Sequence, residues 1–261
     1  MAYTYLQRRS PYRVGPLHGF SGGRSAAEPI GDGEFESVLK VLTGPSPWQP
    51  YLRENLRLAR KNLPAKPFRV LKLADFENHM HSLGYKGSVR SIAGITDKSK
   101  GVITMQEWQV NSGLTFLGAA LHEAVHLVSH PPGRGPTSNS TVHDALGDGL
   151  LEGLVECVTI EILNEQRITL APPRMRGHVD RLPVAIALLR GFGVPVLARA
   201  LFGGDSSQLE AFMIHLYSKS GWDGIRAATT DNKPQAAMKI MKIFRARQEQ
   251  ERNEQLRRQL R

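Results

Sequence analysis

Cysteine is almost missing from this chain. Cys157 is the only one in 261 residues, which excludes an internal disulfide framework and suits a reducing compartment. No run approaches the roughly 18 uninterrupted apolar residues that a membrane span needs, so no transmembrane segment is expected. The opening "MAYTYLQRRSPYRVGPL" has arginines but no apolar stretch behind them, so it does not read as a secretory signal. The expected location is therefore the cytoplasm, or the outside of the cell by an injection route that needs no signal peptide. No helix-turn-helix, zinc finger or RNA-binding sheet signature is present, and no internal repeat.

What is abundant is positive charge, with a formal net charge of +10. Its distribution argues against a dedicated nucleic-acid surface. Lys239 to Arg261 holds eight basic and three acidic residues, half of the excess, and Arg8, Arg9, Arg13 and Arg24 crowd the other end. Charged ends of this kind serve solubility, so specific nucleic-acid binding is not expected. Apolar content of 41% and charged content of 22% are those of an ordinary globular core.

Residues 1–33 carry six glycines, three prolines and little periodicity, the composition of a flexible arm. "GEFESVLKVL" reads as a short helix ended by "GPSPWQP", and "PYLRENLRLARKNLPAKP" as an amphipathic helix closed by Pro64. "FRVLKLA" reads as a strand, and "DFENHMHSLG" as a short helix capped by Asp75 and stopped at Gly84. Two β-rich runs, Val89 to Ile95 and Val102 to Met105, flank "DKSKG" as a hairpin. "NSGLTFLGAALHEAVHLVSH" is a strong helix, capped by Asn111 or Ser112 and ended by "PPGRGP". "HDALGDGLLEGLVECVTIEILNEQ" is a second long helix, and further helical pieces follow near 183–191, 194–202, 207–218 and 235–260. The expected fold class is α+β, a small antiparallel sheet followed by a mostly helical remainder. Its organisation is a basic arm (1–45), a main domain (46–235) and a basic C-terminal helix (236–261).

"LHEAVHLVSH" carries the chemistry. His122 and His126 are four apart, so on a helix they stand one turn above each other and can grip one ion. Glu123 is rotated by roughly 100° from His122, off the ion but near a water bound to it. In this His-Glu-x-x-His arrangement zinc acidifies the water and the glutamate takes its proton. Chance alone places the pattern in about two such sequences in a hundred. The competing reading is a pair of core histidines satisfied by backbone partners.

Zinc needs a third protein ligand. His130 is the nearest candidate but sits at the helix end. The metzincin spacing is excluded, because Ser129 and Pro132 stand where it requires glycine and histidine. "LLEGLVE" offers Glu152 and Glu156. On a helical wheel both lie with Asp148 at the margin of the apolar face formed by Leu150, Leu151, Leu154, Val155, Val158 and Ile162, where a carboxylate needs a partner. A solvated acidic stripe is the alternative.

"HEAVH" followed by "LEGLVE" resembles the gluzincin (thermolysin-like) zinc metallopeptidases, over roughly residues 88–165. The resemblance implies a zincin-like catalytic core within 46–235, a Zn2+ cofactor and a protein or peptide substrate. It makes Glu152 the third ligand, Glu156 the carboxylate that orients a histidine ligand, and the hairpin the edge along which an extended peptide is laid. Leu151 departs from the pattern, since the family often has asparagine there. The resemblance also implies a later His or Tyr that stabilises the oxyanion. His178 in the polar loop "RGHVDRLP" is preferred over His215, which lies among apolar neighbours and is expected in the core, and over Tyr217. His143 reads as a helix-start residue, His79 and His81 as surface, and Cys157 as core. The expected function is a zinc-dependent endopeptidase with Glu123 as general base, in the cell or as a bacterial effector. The alternative is a catalytically silent protein of the same fold whose basic ends contact anionic partners.

Overall fold

The computed structural model describes residues 32–90, 92–97, 99–107, 114–129, 146–168, 181–203, 206–231, 233, 235–242, 246, 249 and 250. The described chain is mostly helical with one small mixed sheet, an α+β arrangement. Its elements are α1 (Asp32–Leu42), α2 (Gln49–Arg60), β1 (Phe68–Leu71), α3 (Leu73–Ser82), β2 (Gly94–Asp97), β3 (Val102–Gln106), α4 (Leu114–Ser129), α5 (Asp148–Glu165), α6 (Leu182–Gly203) and α7 (Ser207–Thr230).

The sheet corrects the antiparallel expectation. β3 is central: β2 pairs with it antiparallel, with Thr96 opposite Ile103, while β1 joins its other side in parallel, with Phe68 opposite Ile103. A parallel partner needs a crossover, and α3 supplies it, covering the sheet with Phe76 and Met80. The hairpin exists but is shorter than its β-rich composition suggested. Val89 is buried with Phe76 and Met80 in a satellite core, and pairing begins only at Gly94. Asp97 closes the turn, accepting hydrogen bonds from Ser99 Oγ (2.6 Å) and the Lys100 N–H (3.1 Å). Asp75 is not the cap of α3; the helix starts at Leu73, and Asp75 sits in the first turn, where its charge suits the exposed N–H groups.

α4 is the axle of the molecule. Phe116, Leu117, Ala120, Leu121, Ala124, Val125, Leu127 and Val128 are all buried, so the helix is apolar nearly all round and packs against α1, α2, α5, α6 and the β2–β3 hairpin. α2 shows how its surroundings are pinned. Leu52, Asn55, Leu56 and Ala59 form its buried stripe, and the polar member is satisfied: Asn55 Nδ2 donates to Val128 O (2.8 Å) and Phe202 O (2.7 Å). Both carbonyls lie in last helical turns, where intrahelical donors run out. Asn55 thereby ties the end of α4 to the end of α6.

The early glycines of α5 have a packing reason. A Cβ on Gly149 would collide with the Thr229 carbonyl of α7, so only glycine lets these helices approach so closely. Phe35, Val38, Leu39 and Leu42 of α1 are core residues, as are Ala237 and Met241, since each segment carries apolar residues at helical spacing.

By length and composition α6 is the one helix among the described residues that could cross a membrane. It is broken at Gly193 (φ 74°, ψ 170°), with Pro195 following. Each resulting piece is shorter than the about 17 residues a span requires. Val184, Ala185 and Leu188 are buried against the rest of the core. α7 is broken likewise at Ser218 (φ 62°), and helix continues through 219–230, beyond the piece expected at 207–218.

Candidate metal centre

Two helices build the site. α4 presents His122 and His126 one turn apart, and α5, packed against it, presents Glu152 and Glu156 with the same spacing. Three donors meet. His122 Nε2 lies 3.2 Å from Glu152 Oε2, His126 Nε2 lies 3.2 Å from the same oxygen, and the two Nε2 atoms are 3.2 Å apart. Two imidazole N–H groups donating to one carboxylate oxygen would leave the two nitrogens facing each other at 3.2 Å with nothing between them, whereas one cation engages all three atoms. For metal–ligand distances of about 2.0–2.1 Å, the edges of a tetrahedron are about 3.3–3.4 Å, close to those found here. His122, His126 and Glu152 form a group that could hold a metal ion.

Glu156 acts on the far side of His122. Its Oε2 is 2.8 Å from His122 Nδ1 and both groups are buried. A neutral His122 that donates its Nδ1–H to this carboxylate turns the Nε2 lone pair toward the triangle, the tautomer a metal ligand needs. Without a cation the electrostatics are those of an ion-pair cluster. Burial alone would lower the His122 pKa, but hydrogen bonds and charge from Glu152 and Glu156 outweigh it and raise the pKa well above the usual histidine range. Burial would raise that of Glu152, yet the charge on His126 and the bonds to both histidines hold it well below the usual carboxylate range. Protons and a divalent cation therefore compete for the same lone pairs. Within the site, the buried His126 Nδ1 and Glu156 Oε1 have no hydrogen-bond partner among the described residues.

Glu123 follows His122 on α4, lies outside the donor group and is partly exposed. Its carboxylate is tethered: Thr96 Oγ1 on β2 lies 2.7 Å from Glu123 Oε2, and 2.9 Å from the backbone oxygen of the same residue. Sequence reasoning did not find Thr96. A threonine in a short strand carries no signal, and only the docking of β2 on α4 brings it here.

The remaining candidates separate. His178, His130 and His143 lie outside the described residues. His215 is exposed on α7 with its ring 6.5 Å from Phe212, so the expectation of a core position is corrected: Met213 and Tyr217 form the buried stripe of this helix, and His215 lies off it. Tyr217 is buried in the core, and so is Cys157, whose thiol burial pushes far above its ordinary pKa. His81 is exposed, whereas His79 is partly covered by Arg69, whose Nη2 approaches its ring nitrogens at 3.0 and 3.3 Å.

The chain matches no known family model, no curated protein and no solved structure, so the site stands on its own geometry.

Proposed function

We propose that the chain is a zinc-dependent endopeptidase with a zincin-like core, in which His122, His126 and Glu152 hold the ion and Glu123 is the general base. The observation that carries this reading is the triangle of donors with 3.2 Å edges, flanked by a glutamate that does not belong to it. Two imidazoles and one carboxylate are a donor set that catalytic zinc accepts while keeping a coordination position open. A purely structural ion would have no use for Glu123.

A zinc ion in this position would polarise the scissile carbonyl and acidify a water. The chain's own residues supply the rest. Glu123 takes the proton of the attacking water and delivers it to the leaving amine. Glu156 keeps the His122 ring oriented through Nδ1. β2, to which Glu123 is tethered, lies at the edge of the described sheet, and its outer side, unpaired among the described residues, suits an extended peptide added as a further strand.

The decisive experiment substitutes Glu123→Gln in the full chain. Zinc content, read by metal analysis, should stay near one per chain and thermal stability should hardly change. Hydrolysis of unfolded protein substrates should fall by about 10² to 10⁴. Undiminished hydrolysis in the variant, or no hydrolysis by the wild type over a broad panel, would sink the reading and favour a silent binding protein.

A further inference from the structure

The peptidase reading assigns Glu123 a role but leaves open what aims its carboxylate. Glutamate has three rotatable bonds, and an unrestrained one beside a metal would wander or bind the ion itself. β2 removes that freedom from two positions on one face, since residues two apart on a strand share a side. At Thr96 the hydroxyl reaches Glu123 Oε2 at 2.7 Å, the short distance of a bond to a charged acceptor. At Gly94 a Cβ would come within 3.2 Å of Glu123 Cγ and would also press on Met105 Sδ. The missing side chain leaves room for the glutamate stem, while the hydroxyl two residues on holds its tip.

We propose that Thr96 is the positioning residue for Glu123. Its hydroxyl engages Oε2 and leaves Oε1 to take the proton from the attacking water. The strand that would receive the substrate and the residue that activates the water are thus joined through the Thr96 hydroxyl. This inference rests on the peptidase reading for its kinetic consequence, but the tether itself concerns only the chain.

The test compares full-length wild type, Thr96→Val and Thr96→Ser, each loaded with zinc. The valine variant keeps the shape and loses the hydroxyl, and the serine variant keeps the hydroxyl. With a peptide that the wild type cleaves, Thr96→Val should lower kcat by about 10- to 100-fold with KM within about twofold, because only the aim of the base is lost. Thr96→Ser should return kcat to within about threefold of wild type, and zinc content should be the same in all three proteins. Crystal structures should show the Glu123 carboxylate displaced in Thr96→Val and in place in Thr96→Ser. A kcat for Thr96→Val within about twofold of wild type, no rescue by serine, or an unmoved Glu123 in the valine variant would overturn the proposal. A wild type that cleaves nothing would defeat the peptidase reading alone, and the crystal structures would still decide whether Thr96 sets Glu123.

Discussion

The two halves of α5 bury carboxylates in opposite ways. Near its N-terminal end, Glu152 and Glu156 face two histidines of α4, and Glu152 is held well below the ordinary carboxylate range despite its burial. Two turns on, Glu161 accepts a hydrogen bond from Trp48 Nε1 at 2.7 Å, and its pKa is raised. Burial pushes it up, the indole N–H offsets only part of this, and the charge of Glu165 adds to the rise. The helix is the same; the partners differ. A neutral donor anchors a carboxylate, whereas cationic or metal-seeking partners make a reactive cluster.

The largest effect should come from breaking the first end. Glu152→Ala should strip most of the zinc, whereas Glu156→Ala should weaken binding by a smaller factor, about 10- to 100-fold, as measured by competition with a chelator. The opposite ranking would mean that ligand and orienting carboxylate are exchanged. His130→Ala should leave zinc content unchanged, and loss of the ion there would overturn the choice of third ligand.

The second end should matter to folding alone. Trp48→Phe removes the indole N–H and leaves Glu161 poorly partnered, at a cost of about 1–3 kcal/mol in urea unfolding. Zinc affinity should not change. A Trp48→Phe protein that loses its metal would show that the two ends are not independent.

The smallest effect is the pH dependence of the metal-free protein, and its sign follows from the partners. The raised pKa of His122 contributes stability below its ordinary 6.5 that is lost as pH climbs through the folded value. The lowered pKa of Glu152 contributes above its ordinary 4.5 and is lost only as pH falls through the folded value. Glu161 works the other way: with its pKa raised, it weakens the fold as pH rises from 4.5 through its folded value. In the presence of a chelator, thermal melting should therefore be highest between these ordinary values and decline toward alkaline pH. Glu161→Gln should flatten the part of the decline that begins nearest 4.5. Zinc should reverse the alkaline decline, since deprotonated imidazoles bind it better.

Much of this was readable from local pattern. The four-residue spacing of His122 and His126 and the matching pair on α5 follow from helix geometry, and the helices themselves from apolar periodicity between prolines and glycines. The contacts that tune the site were not. Asn55 looked like an ordinary polar residue of an amphipathic helix, yet it ties two helix ends together across 73 and 147 residues of sequence. Trp48 sits in a proline-rich break between helices, and no local pattern links it to Glu161, 113 residues away. β1 read correctly as a strand, but its parallel pairing with β3 could not be seen, because a short strand carries no mark of its partner's direction.

By itself, then, the amino-acid order determined which side chains share a helix face, since 3.6 residues per turn leaves little choice once the apolar stripe is set. It also determined that this chain has no disulfide of its own to lean on. The tertiary structure decided the rest: that α4 and α5 bring four of their polar groups together in a desolvated place, and that β2 docks so that Thr96 reaches Glu123. It also decided that Glu161 meets an indole instead of an imidazole. Those outcomes depend on how helices and strands pack against one another. Packing is chosen by the shape and burial of the whole core, in which each polar contact is a small share of the free energy.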